Sequence, residues 1–213
     1  MIDFQKYHNG AFYYLCLCYL TGLIGFIWPF YPNFPSLTPL NLMMTLVIML
    51  AFHPEWTWKS IAMIAISYIL GFAAEAIGVN TGLVFGRYEY ESAMGFQFFH
   101  TPIMAGVLWL ILNYGTTALL SQGFSSLSIF YKSIIGALLM LSLDILIEPV
   151  AIHYKFWHWT DVAVPIQNYI GWFCIGFVMQ LLSHTLQPKL NSRIAIEILI
   201  LQFVFFGILN FVL

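Results

Sequence analysis

Long stretches without a charged side chain constrain this chain more than any other feature. Asp, Glu, Lys and Arg are absent from residues 7–54, 92–131, 162–187 and 198–213. Apolar runs of this length are typical of transmembrane helices, which need about 20 residues to cross the hydrocarbon core. Only 8% of the 213 residues are charged, against roughly 25% in soluble domains. The sequence therefore excludes a soluble globular protein.

The hydropathy pattern predicts an all-α, polytopic membrane helix bundle that forms one domain, residues 1–213. Seven spans are expected, at residues 11–30, 36–52, 60–79, 101–120, 129–151, 167–186 and 195–213. The first apolar run is longer than the core of a signal peptide and lacks a small-residue cleavage pattern, so we interpret it as a retained span. The two longest connections, residues 80–100 and 152–166, follow odd-numbered spans. We therefore expect them on the same side of the lipid bilayer.

The distribution of Lys and Arg predicts the orientation of the bundle. Positive residues are enriched in cytoplasmic loops. Five lie in the N-terminal segment and the even-numbered loops, and two in the odd-numbered loops: Lys6, Lys59, Lys132, Lys189 and Arg193 against Arg87 and Lys155. We expect a cytoplasmic N-terminus in a bacterial-type inner membrane. The formal net charge of −2 provides no basic face to neutralise phosphates, which excludes a nucleic-acid-binding protein.

Two parts of the chain, residues 60–120 and 129–186, share a sequence pattern. Each contains a span with a glutamate near its C-terminal end and then a loop with a cation among aromatic residues. Each loop is followed by Pro-Ile and by a Trp seven residues after the proline, at residues 102–109 and 165–172. This recurrence predicts an internal repeat of parallel helix pairs, the third with the fourth and the fifth with the sixth. Parallel copies would place both glutamates at matching depths around one cavity.

Apart from Glu197, which lies at the very start of the seventh span, three carboxylates lie within the predicted spans: Glu75, Asp144 and Glu148. An ionisable group inside a span costs about 2.5 kcal/mol or more, which makes each a functional candidate. Asp144 and Glu148 are four residues apart, so they share one face of a helix. Two carboxylates this close in a low-dielectric medium do not both ionise, so one is expected to hold a proton and act as a donor. The alternative is a structural role, with the acids paired with Arg87, Lys155 or a helix end.

The histidine spacing argues against a di-iron centre. Membrane di-iron oxygenases need several HxxxH or HxxHH boxes, whereas no two of the six histidines here are closer than five residues. We therefore expect no metal, and the alternative is a mixed site built from His100, His153 and the carboxylates. The seventh span contains no lysine, which argues against a retinal Schiff base.

Aromatic residues of the two long loops and small residues of the third span lie near these acids in the sequence. The aromatic residues are expected at a membrane interface whatever the function, and their faces also stabilise a carbocation. Both interpretations stay open for them: Tyr88, Tyr90, Trp157 and Trp159. The small residues within 71–78 predict a close approach of another helix around Glu75.

Three segments carry a family resemblance: GFAAEAIGVNTGLVFGRYEY at 71–90, HTP at 100–102 and LDILIEPVAIHYKFWHW at 143–159. They resemble the membrane carotenoid biosynthesis family that contains the CruF-type carotenoid 1,2-hydratases. The likeness runs from about residue 60 to 180, while the outer spans match by hydropathy alone. The resemblance implies addition of water to the terminal 1,2 (1′,2′) double bond of an acyclic carotenoid, lycopene-like or γ-carotene-like. No cofactor is expected for such a hydratase.

The residues fit the reaction that the resemblance implies. A protonated carboxylic acid gives its proton to C2, aromatic faces shield the tertiary cation at C1, and a positioned water attacks that cation. We expect Asp144 or Glu148 to be the proton donor, with Glu75 and His100 orienting the water. The expected substrate-binding residues are Arg87, Tyr88, Tyr90, Trp157, His158 and Trp159.

Three other functions share much of this evidence. A carotenoid end-group cyclase begins with the same protonation, but an internal alkene captures the cation in place of water. A carotenoid-binding or transport protein also has acids within its spans and parallel repeats. A non-catalytic partner of other carotenoid enzymes would tolerate loss of all the acids.

Overall fold

The computed structural model describes residues 4–28, 31, 33–161, 163–187 and 189–213. The end of the predicted first span, at residues 29 and 30, lies outside the described residues.

Seven α-helices dominate the described parts of the chain. They are α1 (His8–Ile27), α2 (Thr38–Ala51), α3 (Trp58–Thr81), α4 (Ile103–Gly123), α5 (Ile129–His153), α6 (Ile166–Leu186) and α7 (Arg193–Val212). A 3-10 turn at Phe34–Leu37 leads directly into α2, and together they form one 18-residue span. All seven segments are long and apolar enough to cross a membrane. This confirms the predicted all-α, polytopic bundle of an integral membrane protein.

The fourth helix forms the centre of the bundle. In α4, 83% of the apolar stretch is buried, against 22–50% in the other six spans. It packs against α2, α3, α5, α6 and α7, whereas α1 lies at the periphery against α7. The outer helices expose large apolar side chains such as Leu17, Ile61 and Leu138. An apolar exterior of this kind suits a lipid environment.

Both ends of α3 are fixed by local signals in the sequence. At its start, Thr57 and Ser60 form a capping box, in which Ser60 N donates to Thr57 Oγ1 (3.1 Å) and Thr57 N donates to Ser60 Oγ (2.8 Å). At its end, Gly82 adopts a left-handed conformation with φ of 70°, which glycine accepts without steric cost. The helix that carries Glu75 is therefore held at both ends.

Short strands join the two long loops at one end of the bundle. Strand β1 (Tyr88–Tyr90) follows α3 and pairs antiparallel with β4 (Trp157–Trp159), which follows α5. Strands β2 (Gln97–Phe98) and β3 (Thr101–Pro102) form a small hairpin before α4. The β1–β4 pairing confirms that the loops after the third and fifth spans lie on the same side. The internal duplication itself stays a prediction.

Candidate active site

Glu75 is a buried carboxylate on α3 whose hydrogen-bond donors, among the described residues, are all aromatic side chains. Tyr88 and Tyr90 donate their hydroxyls to Oε2, at 2.5 and 2.8 Å, and Trp109 donates Nε1–H to Oε1 at 2.8 Å. Two donors come from β1 and one from α4. Charge-assisted hydrogen bonds of this kind compensate for removing a carboxylate from water.

The two tyrosines on β1 remain protonated donors. Burial, followed by the nearby charge of Glu75, raises the pKa of Tyr88 well above its usual range. The same two causes in the same order raise the pKa of Tyr90. Both hydroxyls therefore stay neutral at physiological pH and keep their protons directed at Glu75.

Glu148 on α5 has a similar environment. It is buried, and Trp157 and Trp159 donate their indole N–H groups to its Oε2, at 3.1 and 2.9 Å. Asn168 on α6 approaches Oε1 through Nδ2 at 3.4 Å. Each glutamate is thus bound by two aromatic residues of a short strand and by one residue of the helix that follows.

Asp144 lies one turn before Glu148 and has fewer donors than either glutamate. It is 1% exposed, and Asn168 Nδ2, at 2.9 Å from Oδ2, is its one hydrogen-bond donor among the described residues. The same amide nitrogen also approaches Glu148, so Asn168 contacts both acids of α5. This arrangement confirms that the two acids share one helix face.

Two tryptophans close the site between α4 and α6. The rings of Trp109 and Trp172 stack with centroids 3.8 Å apart and planes inclined by 16°. Gly71 makes room for Trp109, because a Cβ atom at this position would overlap the Trp109 side chain. The predicted close helix approach around Glu75 is confirmed at this contact.

The three acids line a single cavity of about 20 Å³. A cavity of this size holds about one water molecule. The aromatic and amide side chains described above complete its polar part. Its remaining walls are Phe85, Met94, Ala105, Leu108 and Ile147.

Strand alternation decides which predicted loop residues reach the cavity. Successive side chains of a strand point to opposite faces. Tyr88 stands opposite Trp159, and Tyr90 opposite Trp157, and all four line the cavity. Glu89 stands opposite His158 on the other, exposed face.

Three residues expected in the site do not line this cavity. Arg87 and His158 are exposed because they alternate along the chain with the aromatic residues that face the cavity. His158 instead pairs with Glu91 at 3.1 Å and Glu89 at 3.8 Å. His100 is exposed at the tip of the β2–β3 hairpin, where its φ is 58°. Positive φ angles at both central residues, Phe99 and His100, are typical of a two-residue hairpin turn.

Besides its aliphatic residues and Phe85, the cavity contains two tryptophans and one amide that were not expected there. The sequence analysis used Trp109 and Trp172 only as evidence for the repeat. Their equal distance from the Pro-Ile pairs could also have indicated that they occupy equivalent positions in one site. Asn168 is an amide near the start of a predicted span. Nothing in its local sequence distinguishes it from an amide that binds another helix.

The histidines expected for the alternative metal site lie apart from the acids. His100 and His153 are both exposed. Within the described parts of the chain, no three His, Cys, Asp or Glu residues form a group that could hold a metal ion.

Comparison with known proteins adds to this geometry. A family model described as "Carotenoid biosynthesis protein" matches residues 38–213, which include every residue of the cavity. The chain is 27% identical over 128 residues to a bisanhydrobacterioruberin hydratase from Haloarcula japonica. That match covers 57% of this chain and 43% of the relative, so the chain spans less than half of the relative's length. No solved structure is significantly similar to the chain.

Proposed function

Because the chain belongs to the carotenoid biosynthesis protein family, we propose that it adds water to the terminal 1,2 (1′,2′) double bond of an acyclic carotenoid end group. The hydratase of Haloarcula japonica supports this reaction class. The observation that carries the proposal is the convergence of three buried carboxylates on one small cavity walled by aromatic rings. Acid-catalysed hydration needs a proton donor, a shield for a cation and a base for water.

Asp144 is the proton donor in this proposal. Glu75 and Glu148 each accept hydrogen bonds from three side-chain donors, whereas Asp144 accepts one among the described residues. Donors stabilise the charged form of a carboxylate, so Asp144 is best placed to carry the proton. The O–H bond of Asp144 breaks as the π electrons of the alkene form a new C–H bond at C2.

The resulting tertiary cation at C1 is stabilised by aromatic faces and by negative charge. Trp109 and Trp172 present stacked rings at the cavity wall, and ring faces attract cations. Glu75, held by its three aromatic donors, supplies a fixed charge of opposite sign. Such preorganised groups lower the energy of a charged intermediate without reorganisation during the reaction.

Glu148 is the base for the attacking water. The cavity has room for about one water molecule beside the acids. The water oxygen forms a bond to C1, and its proton passes to the Glu148 carboxylate. Glu148 and Asp144 line the same cavity one helical turn apart, so the proton can return from Glu148 to Asp144 through the next water molecule that enters, which restores the donor. The net change is the addition of one water, without oxidation or reduction.

Production of a hydrated carotenoid in lycopene-forming cells tests this proposal. The wild-type chain should convert lycopene into a product heavier by about 18 mass units. Asp144→Asn keeps the size of the side chain but removes the acidic proton, so this product should disappear. Asp161→Asn, in an exposed loop position, is the matched control and should retain the product.

Three results would contradict parts of the proposal. An isomer of unchanged mass would indicate cyclisation. Unaltered lycopene and γ-carotene in the presence of the folded protein would indicate binding or transport. Retention of the hydrated product by Asp144→Asn would exclude Asp144 as the donor.

The orientation of the bundle is also an inference. Five of the seven Lys and Arg residues belong to the end of the bundle that includes the N-terminal segment. We infer from the positive-inside rule that this end is cytoplasmic, in a bacterial-type inner membrane. The acid cavity, beside the β1–β4 pair, then lies nearer the opposite face.

A further inference from the structure

The acid cavity adjoins a second cavity, and we propose that the second cavity holds the hydrocarbon chain of the substrate next to its reacting end. This inference rests on the proposed function, whose site it extends. Four apolar residues line both cavities, so the two spaces share one wall: Met94, Leu108, Ile147 and Trp157.

The second cavity differs from the first in size and chemistry. Its volume is about 80 Å³, against about 20 Å³ for the acid cavity. No Asp, Glu, Lys, Arg or His belongs to its lining within the described residues, and the lining residues with a hydroxyl or amide group are Tyr19, Thr38, Asn41 and Gln202. A pocket that is mostly apolar suits a ligand without charge.

The position of the second cavity follows the helix that carries the acids. Asp144, Ile147 and Glu148 of α5 line the first cavity, and Val150 and Ala151 of the same helix line the second. Ile147 belongs to both linings. A chain lying along this part of α5 would bring its end carbon to Asp144.

The other sides of the acid cavity leave less room for a chain. The stacked rings of Trp109 and Trp172 close it between α4 and α6, and the β1–β4 pair covers it at the end of the bundle. Within the shared wall, Trp157 donates its indole N–H to Glu148, whereas Met94, Leu108 and Ile147 hold no carboxylate. Entry of an apolar end group between these three residues avoids displacing charged groups from their hydrogen bonds.

Aromatic rings form much of the second cavity. Phe26 packs against Phe205 with ring centroids 5.9 Å apart and against Phe156 at 6.2 Å. All three rings line the cavity together with Phe206 and Tyr19. Flat rings give extensive contact with a flat conjugated chain at little cost in side-chain entropy.

Ala151 is the position at which the cavity is most readily filled. It is 2% exposed and is the smallest side chain of the lining. Ala137 provides a matched control, since it is equally buried on the same helix but lines neither cavity. Ala151→Leu places three additional carbons in the cavity, whereas Ala137→Leu places them elsewhere in the core.

Binding of lycopene to purified protein tests the inference without depending on hydration. Wild type, Ala151→Leu and Ala137→Leu are each combined with Asp144→Asn, so that no substrate is consumed, and lycopene binding is titrated by its absorption in detergent. We expect Ala151→Leu to weaken binding about tenfold and Ala137→Leu to leave it unchanged. Leu42→Phe reaches the same cavity from α2 and should weaken binding similarly, which covers the case in which Ala151→Leu does not fold.

The outcomes separate this inference from the proposed function. Equal lycopene affinity in folded Ala151→Leu, Leu42→Phe and parent proteins would overturn the assignment of the second cavity. Binding that depends on this cavity, together with unaltered lycopene in cells that contain the wild-type chain, would support the assignment and contradict the proposed hydration.

Discussion

Replacing Trp109 with Phe should destabilise the bundle more than the same replacement at Trp172. The two rings are stacked and buried, so each substitution removes the same atoms from a similar place. Of these two tryptophans, Trp109 donates its indole N–H to a carboxylate, at 2.8 Å from Glu75 Oε1, and Trp172 donates to none among the described residues. A hydrogen bond to a charged group contributes about 1.5–3 kcal/mol. Trp109→Phe should therefore lower the free energy of unfolding by about that much more than Trp172→Phe.

Denaturant titration of the two variants in detergent measures this difference. The shared loss of packing cancels in the comparison, because both substitutions create a space of similar size. The loss of the donor to Glu75 does not cancel. Equal unfolding free energies for the two variants would refute the reasoning that this bond stabilises the buried carboxylate.

Two further predictions concern buried amides and orientation. Gln180 donates Nε2–H to Asn113 O and Oδ1, at 3.1 and 2.7 Å, so Gln180→Leu should lower the free energy of unfolding by about 1–2 kcal/mol. Gln202 Oε1 is buried without a hydrogen-bond partner among the described residues, so Gln202→Leu should not lower the free energy of unfolding. A decrease equal to that caused by Gln180→Leu would contradict this prediction. A reporter enzyme that is active only outside the cytoplasm should be active when fused after Leu213, and activity only in an N-terminal fusion would reverse the inferred orientation.

The helices were predictable from the sequence, but their ends were not. Long apolar runs identify spans because the bilayer sets their length. The third span was predicted at 60–79, whereas α3 covers Trp58–Thr81. The capping box at Thr57 and the left-handed Gly82 set these ends, and hydropathy does not detect either signal.

The acids of the site were predictable because charge within a span is costly. The pairing of β1 with β4 was not, since strands of three residues are too short to show a reliable alternation. That pairing separates inward Tyr88 and Trp157 from outward Arg87 and His158. Without it, the sequence analysis assigned Arg87 and His158 to the same site as the inward-facing aromatic residues.

The central claim is that water adds to a cation formed by proton transfer from Asp144. Its most direct test is incubation of the purified protein with lycopene in water enriched in deuterium and in the heavy oxygen isotope, followed by mass spectrometry. The account predicts one heavy oxygen and one carbon-bound deuterium in each hydrated end group, and no labelled product with Asp144→Asn. A product without the heavy oxygen, or a labelled product from Asp144→Asn, would contradict it.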